Sequence, residues 1–222
     1  MPRPLTERLW RFIEGILEAI LDHPFLRGLT DGSLDREAFR FYVVQDALYL
    51  TEFARALAVC AARAPHEEAV RMFCEHAAGA IAVELQLHES FFRDFGLSEK
   101  EVRGTEMAPT NLAYTSYLRA VAHGGSFPEA LGAVLPCYWI YREVGRHLLD
   151  RGSPDTLYRR WIETYSGEEY GEIVRAILRL TDEVGAGLPE GEVERMGRHF
   201  RATARYEWMF WDMGWRREGW PV

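Results

Sequence analysis

An all-α fold is predicted by three observations on the 222-residue sequence. Apolar residues recur at three- and four-residue steps through nearly every long segment, the period of a half-buried helix. No stretch alternates apolar and polar residues as a strand would. Pro, Gly and Asp/Ser clusters fall between the periodic stretches, where helices stop and start. Roughly eight helices joined by short connections, in one domain spanning residues 1–222, satisfy all three.

From Leu5 to Leu21, the residues Leu9, Phe12, Ile13, Ile16, Leu17 and Ile20 form one stripe, stopped by His23-Pro24. Asp31-Gly32 reads as a turn. Ser33 is then expected to cap a helix running to Ala64, with Asp35 and Glu37 at the positive end of its dipole. Its inward stripe is Phe39, Tyr42, Val43, Asp46, Tyr49, Phe53, Leu57 and Cys60. His66 to Phe95 reads as a third long helix closed by Gly96, and Leu97 to Pro109 as a polar loop. Thr110 to His123 carries Tyr114, Tyr117, Leu118 and Val121, and ends at Gly124-Gly125.

The next helix, Pro128 to Asp150, buries Ala130, Val134, Cys137, Tyr141, Val144 and Leu148 on one face. Pro136 inside it removes the amide that would bond the Gly132 carbonyl and is expected to bend the axis. Two further helices are expected, Asp155 to Thr164 and Glu168 to Val184, separated by Ser166-Gly167. The last, Glu190 to about Trp215, places Val193, Met196, Phe200, Thr203, Glu207, Phe210 and Trp211 together.

Composition narrows the function. The net charge of -8, with no Lys/Arg run, speaks against nucleic acid as a partner. The first 22 residues interrupt their apolar positions with Glu7, Glu14, Glu18 and Asp22, so neither a signal peptide nor a membrane span is expected there. Cys60, Cys74 and Cys137 are odd in number and form no Cys-x-x-Cys pair, which fits a reducing cytoplasm better than a disulfide framework. Aromatics reach 13%, which favours a cavity or a large packed interface.

Asp46 and Glu207 are the informative residues. Each is a carboxylate on an otherwise apolar face, where an unpaired charge costs several kcal/mol. One such residue is equally well a buried ion pair. Two, on different helices and flanked by aromatics, fit the polar floor of an aromatic-walled pocket better. Cys137 and Tyr141, one turn apart, are a nucleophile and its hydroxyl partner or simply core; alone they favour core. No histidine spacing supplies a base for the thiol. His23, His66 and His123 fall at turns or helix ends, where solvent is the expected environment, whereas His199 adjoins the inward Phe200. A metal reading rests on Glu84/His88 and Glu143/His147, each four apart. Carboxylate-bridged bundles commonly use a spacing of three, and the same pairs serve as plain surface contacts.

Five blocks carry a resemblance beyond these patterns. They are Phe41–Leu50 (FYVVQDALYL), the Tyr114 helix with Tyr117-Leu118, Leu135–Tyr141 (LPCYWIY), Trp161–Tyr170 (WIETYSGEEY) and Tyr206–Trp211 (YEWMFW). In this order the chain resembles the TenA/thiaminase II family, in its cysteine-containing branch, over nearly the whole length. The resemblance implies a haem-oxygenase-like helical bundle, a homotetramer, and a cytoplasmic thiamin-salvage hydrolase without cofactor or metal. The implied substrates are thiamin and aminomethyl-aminopyrimidine, the latter giving hydroxymethylpyrimidine and ammonia. It further implies Cys137 as nucleophile, Glu207 as acid/base on a ring nitrogen and Asp46 as holder of the exocyclic amine. Tyr49, Tyr114, Tyr141, Tyr165 and Phe210 are implied as pocket wall. Alternatives are a di-iron oxidase on the same bundle and a non-catalytic binder of thiamin-related compounds.

Overall fold

In the computed structural model, residues 3–83 and 89–222 are described, and no strand occurs among them. The helices in order are α1 Leu5–Arg11, α2 Glu14–Leu21, α3 Pro24–Asp31, α4 Arg36–Arg63, α5 Glu67–Val83 and α6 Glu89–Phe95. They continue with α7 Glu99–Arg103, α8 Pro109–Gly124, α9 Phe127–Leu149, α10 Thr156–Ser166, α11 Glu168–Gly185 and α12 Glu190–Arg216. The fold is all-α as expected, with more and shorter elements than eight.

The first expected helix is two. Phe12 and Ile13 donate to the carbonyls of Leu9 and Trp10, tightening the turn, and Ile13 leaves helical geometry at φ -124°, ψ 2°. The break buries Ile13 completely while Phe12 stays 37% exposed. Phe12 covers Gly197, where an added Cβ would come within 2.7 Å of its ring. α3 is a further departure: Pro24 starts a helix at its first position instead of only ending the previous one. His23 caps it, Nδ1 accepting from the Phe25 amide at 3.1 Å, and Gly32, at φ +78°, closes it.

The cap of α4 is Asp35, which accepts from the Glu37 amide at 3.0 Å, and not Ser33, whose own amide donates to Asp31. The expected loop 97–109 contains α7, started by a Ser98/Glu101 capping box. The expected single helix over 66–95 is described as α5 and α6, and Glu84 and His88 lie outside the described residues. From α8 onward the expected boundaries hold to within about two residues.

α9 is the hub, packed on α12, α10, α8, α11, α4 and α2. Its residues 130–138 are all buried, so it is surrounded, not laid on a surface. Two glycines permit the close approach. A Cβ at Gly132 would meet the Met196 carbonyl oxygen of α12 at 2.7 Å, and one at Gly145 would meet the Tyr165 backbone of α10 at 2.6 Å. The helix runs continuously through Pro136. No helix among the described residues is long and apolar enough to cross a membrane.

Candidate active site

The inward stripes of α4, α8, α9, α10 and α12 converge. α4 contributes Asp46 and Tyr49 one turn apart, α8 Tyr114, α9 Cys137 and Tyr141, α10 Tyr165, and α12 Glu207 and Phe210; all eight are buried. The structure thus brings together every residue the sequence singles out for the site.

Glu207 is 1% exposed. The Tyr114 hydroxyl donates to its Oε1 at 2.6 Å. Burial pushes the Glu207 pKa up to about 8, with the Asp46 charge adding to the rise and the Tyr114 bond opposing it. At neutral pH the group is therefore a carboxylic acid. Cys137 is 9% exposed. Its thiol is pushed well above the ordinary range by burial, then by the Glu207 and Asp46 charges, while the facing Tyr49 hydroxyl pulls it down. That hydroxyl is buried and makes no hydrogen bond of ordinary geometry. The thiol is thus protonated at rest, and any nucleophilic step must remove its proton.

Aromatic rings pack around these groups. Tyr49 stands 5.1 Å from Tyr114 and 5.4 Å, edge-on, from Phe210. Tyr141 lies 4.9 Å from Tyr165, and its hydroxyl is 3.1 Å from that of Tyr42. Behind them Tyr42 stacks on Trp211, and Tyr114 stacks on Tyr206. Trp161, 4.7 Å from Tyr165, and Tyr206 were not among the expected site residues, and Tyr42 was expected only as an aromatic beside Asp46. Tyr42 sits one turn before Asp46, so its position on the α4 stripe was the available signal.

The described histidines stand apart from this cluster. His23 is a correction: it is 3% exposed, wedged between its capping bond, Trp208 and the Asp212 carboxylate 3.7 Å away. His199 is half-buried as expected, its Nδ1 2.8 Å from the Tyr117 hydroxyl. Glu143 faces Arg146 at 3.8 Å. A separate surface hollow of about 490 Å³ is lined by Arg36, Asp94, Arg159 and Arg160. There Arg160 pairs with Asp94, and Arg159 donates to the Ser153 carbonyl.

A neutral acid, a thiol and a second carboxylate between flat aromatic walls suit a planar, nitrogen-containing ring. The acid can protonate a ring nitrogen, and the thiol can add to a ring made electron-poor by that proton.

The model of the TENA/THI-4/PQQC family matches residues 10–217. The aminopyrimidine aminohydrolase of Bacillus subtilis (strain 168) is 38% identical over 200 residues, 89% of this chain and 84% of that protein. A TenA homologue from P. horikoshii OT3 superposes with a TM-score of 0.89 at 31% identity, covering 96% of this chain and 99% of the other. A domain with a heme oxygenase-like fold from Shewanella denitrificans OS217 superposes at 0.75 with 15% identity, covering 96% and 92%.

Proposed function

The chain belongs to the TENA/THI-4/PQQC family, and on that footing we propose that it hydrolyses the bond between an aminopyrimidine's methylene and its amine or thiazolium, with Cys137 as nucleophile. It is a thiamin-salvage hydrolase acting on carbon–nitrogen bonds, in keeping with its 38% identity to an aminopyrimidine aminohydrolase. The observation that carries the residue assignment is the buried Glu207–Tyr114 pair, an acid held neutral near pH 7 within the same box as the thiol.

The roles are those the family resemblance implies, and that arrangement supports them. Asp46 accepts from the ring's exocyclic amine, and Tyr49, Tyr114, Tyr141, Tyr165 and Phe210 pack around the ring. Glu207 gives its proton to a ring nitrogen. The Cys137 sulfur adds to a ring carbon, its proton passing to the carboxylate that Glu207 has become. The electron pair now in the ring expels the leaving group from the methylene, and an ammonium leaves as ammonia. Water adds at the methylene and gives its extra proton to that ammonia. The C–S bond then breaks and the ring nitrogen loses its proton, restoring the aromatic ring, the thiol and the acid.

Incubation with aminomethyl-aminopyrimidine and with thiamin, side by side, tests the assignment and ranks the leaving groups. Release of hydroxymethylpyrimidine is expected, and Cys137→Ala should lower the rate by about a thousandfold or more. Activity surviving that substitution would end the covalent mechanism. Protein stripped of iron and manganese should keep its rate; a rate that falls and returns with added metal would favour the oxidase reading.

The three cysteines are all free thiols, which supports a cytoplasmic setting. The resemblance supports a homotetramer, and exposed Ile81, Leu112, Leu149 and Trp215 offer apolar surface for it. A solution mass equal to one 25.6 kDa chain would refute the assembly.

A further inference from the structure

Tyr170, in the first turn of α11, has no role in the chemistry above, yet its hydroxyl reaches the backbone of the thiol's own turn. It lies 3.2 Å from the Cys137 carbonyl and 3.1 Å from the Tyr138 carbonyl. Both residues lie inside α9, where those carbonyls also accept from amides four residues on. One phenolic proton is therefore shared between two acceptors that the helix already satisfies. The backbone does not need this bond to avoid a buried, unpaired carbonyl.

Its placement gives it another use. Pro136 has no amide proton, so the Gly132 carbonyl lacks its helical donor and the ladder is weakest next to Cys137. Tyr170 ties α9 laterally just beyond that gap. The same ring stands edge-on to Tyr165, a wall residue, at 5.4 Å. Two turns along α9, Gly145 lets the corner between α10 and α11 touch the helix, since a Cβ there would lie 2.6 Å from the Tyr165 backbone. The corner that carries Tyr165 is thus fixed to α9 at the thiol's turn and again two turns beyond it.

We propose that Tyr170 is a positioning residue, which fixes the thiol-bearing turn of α9 so that Cys137 meets the bound ring in register with Tyr165. The proposal rests on the pyrimidine hydrolase reading, so its test includes a measurement that needs no substrate. Tyr170→Phe keeps the ring and deletes the hydroxyl. Its kcat on aminomethyl-aminopyrimidine should fall about ten- to a hundredfold, with KM within about twofold, because misplacement of a reacting atom costs rate more than binding. The shape of the pH–rate profile should be retained, since Glu207 is untouched. Peptide-resolved alkylation of Cys137 by iodoacetamide should change rate by about threefold or more. Tyr170→Leu, which also removes the ring, separates packing from positioning. Wild-type kcat and alkylation in Tyr170→Phe, with impairment only in Tyr170→Leu, would overturn the proposal. If the wild-type protein turns over no pyrimidine, the hydrolase reading fails while the alkylation contrast still decides the effect of Tyr170 on the thiol.

Discussion

Glu207 holds a proton at neutral pH because burial outweighs the single bond from Tyr114, and two outcomes follow at the scale of that one residue. kcat/KM should fall as pH rises through about 8, where the free enzyme loses its acid. Stability should move with it. Glu207 titrates higher when folded than when unfolded, so between about pH 4.5 and 8 the folded state keeps a proton the unfolded state has lost. Stability from this group therefore declines as pH rises through that window, by on the order of 4 kcal/mol at its alkaline end. Urea unfolding of wild type and Glu207→Gln at about pH 5 and 9 checks this. The glutamine variant, inactive, should show the shallower loss, and equal losses in both proteins would refute it. Asp46 and Glu207 were readable as polar residues on apolar stripes. Tyr141 was readable one turn from Cys137, and Tyr49 and Phe210 as aromatics beside the two carboxylates; Tyr114 and Tyr165 look like any core tyrosine until a second helix is seen opposite, and only the family likeness singled them out.

Among the elements, what the sequence hides is where a helix restarts. His23-Pro24 has the composition of a stop, and its second use, as cap and first residue of α3, depends on burying the imidazole beneath Trp208. Burial depresses the His23 pKa, against the pull of Asp212. His23→Ala should cost about 1–2 kcal/mol, the value of a helix cap, measured as a lower urea midpoint with unchanged slope. α7 was marked by its Ser98-x-x-Glu101 spacing but masked by a five-residue length inside a polar run. The α1–α2 break carries no proline; it comes at Ile13, which is fully buried. Gly145 is the opposite case, a residue that periodicity treats as filler and packing makes indispensable. Gly145→Ala would press a methyl into the Tyr165 backbone, so a loss of about 1–3 kcal/mol is expected, with lowered kcat because α10 carries Tyr165. Unchanged Tm and kcat would count against the close-packed corner.

For the whole molecule, the controlling fact is that the site draws on α4, α8, α9, α10 and α12. None of these helices holds the box alone, so a ligand of the box should stabilise the entire fold. A pyrimidine product at about a hundred times its Kd should add about 2.7 kcal/mol, raising Tm by roughly 5–10 °C for a chain of this size. Cys137→Ala should keep most of that shift, and Asp46→Ala should lose it. A thermal shift absent from the wild type would deny binding at this site. The thiol and the acid are also unequally sheltered, Cys137 at 9% exposure and Glu207 at 1%. The residue that carries the sulfur is the more open of the two. A pyrimidine bearing a small electrophile in place of its amine should therefore alkylate Cys137 as an affinity label, its selectivity coming from the aromatic rings packed around the thiol.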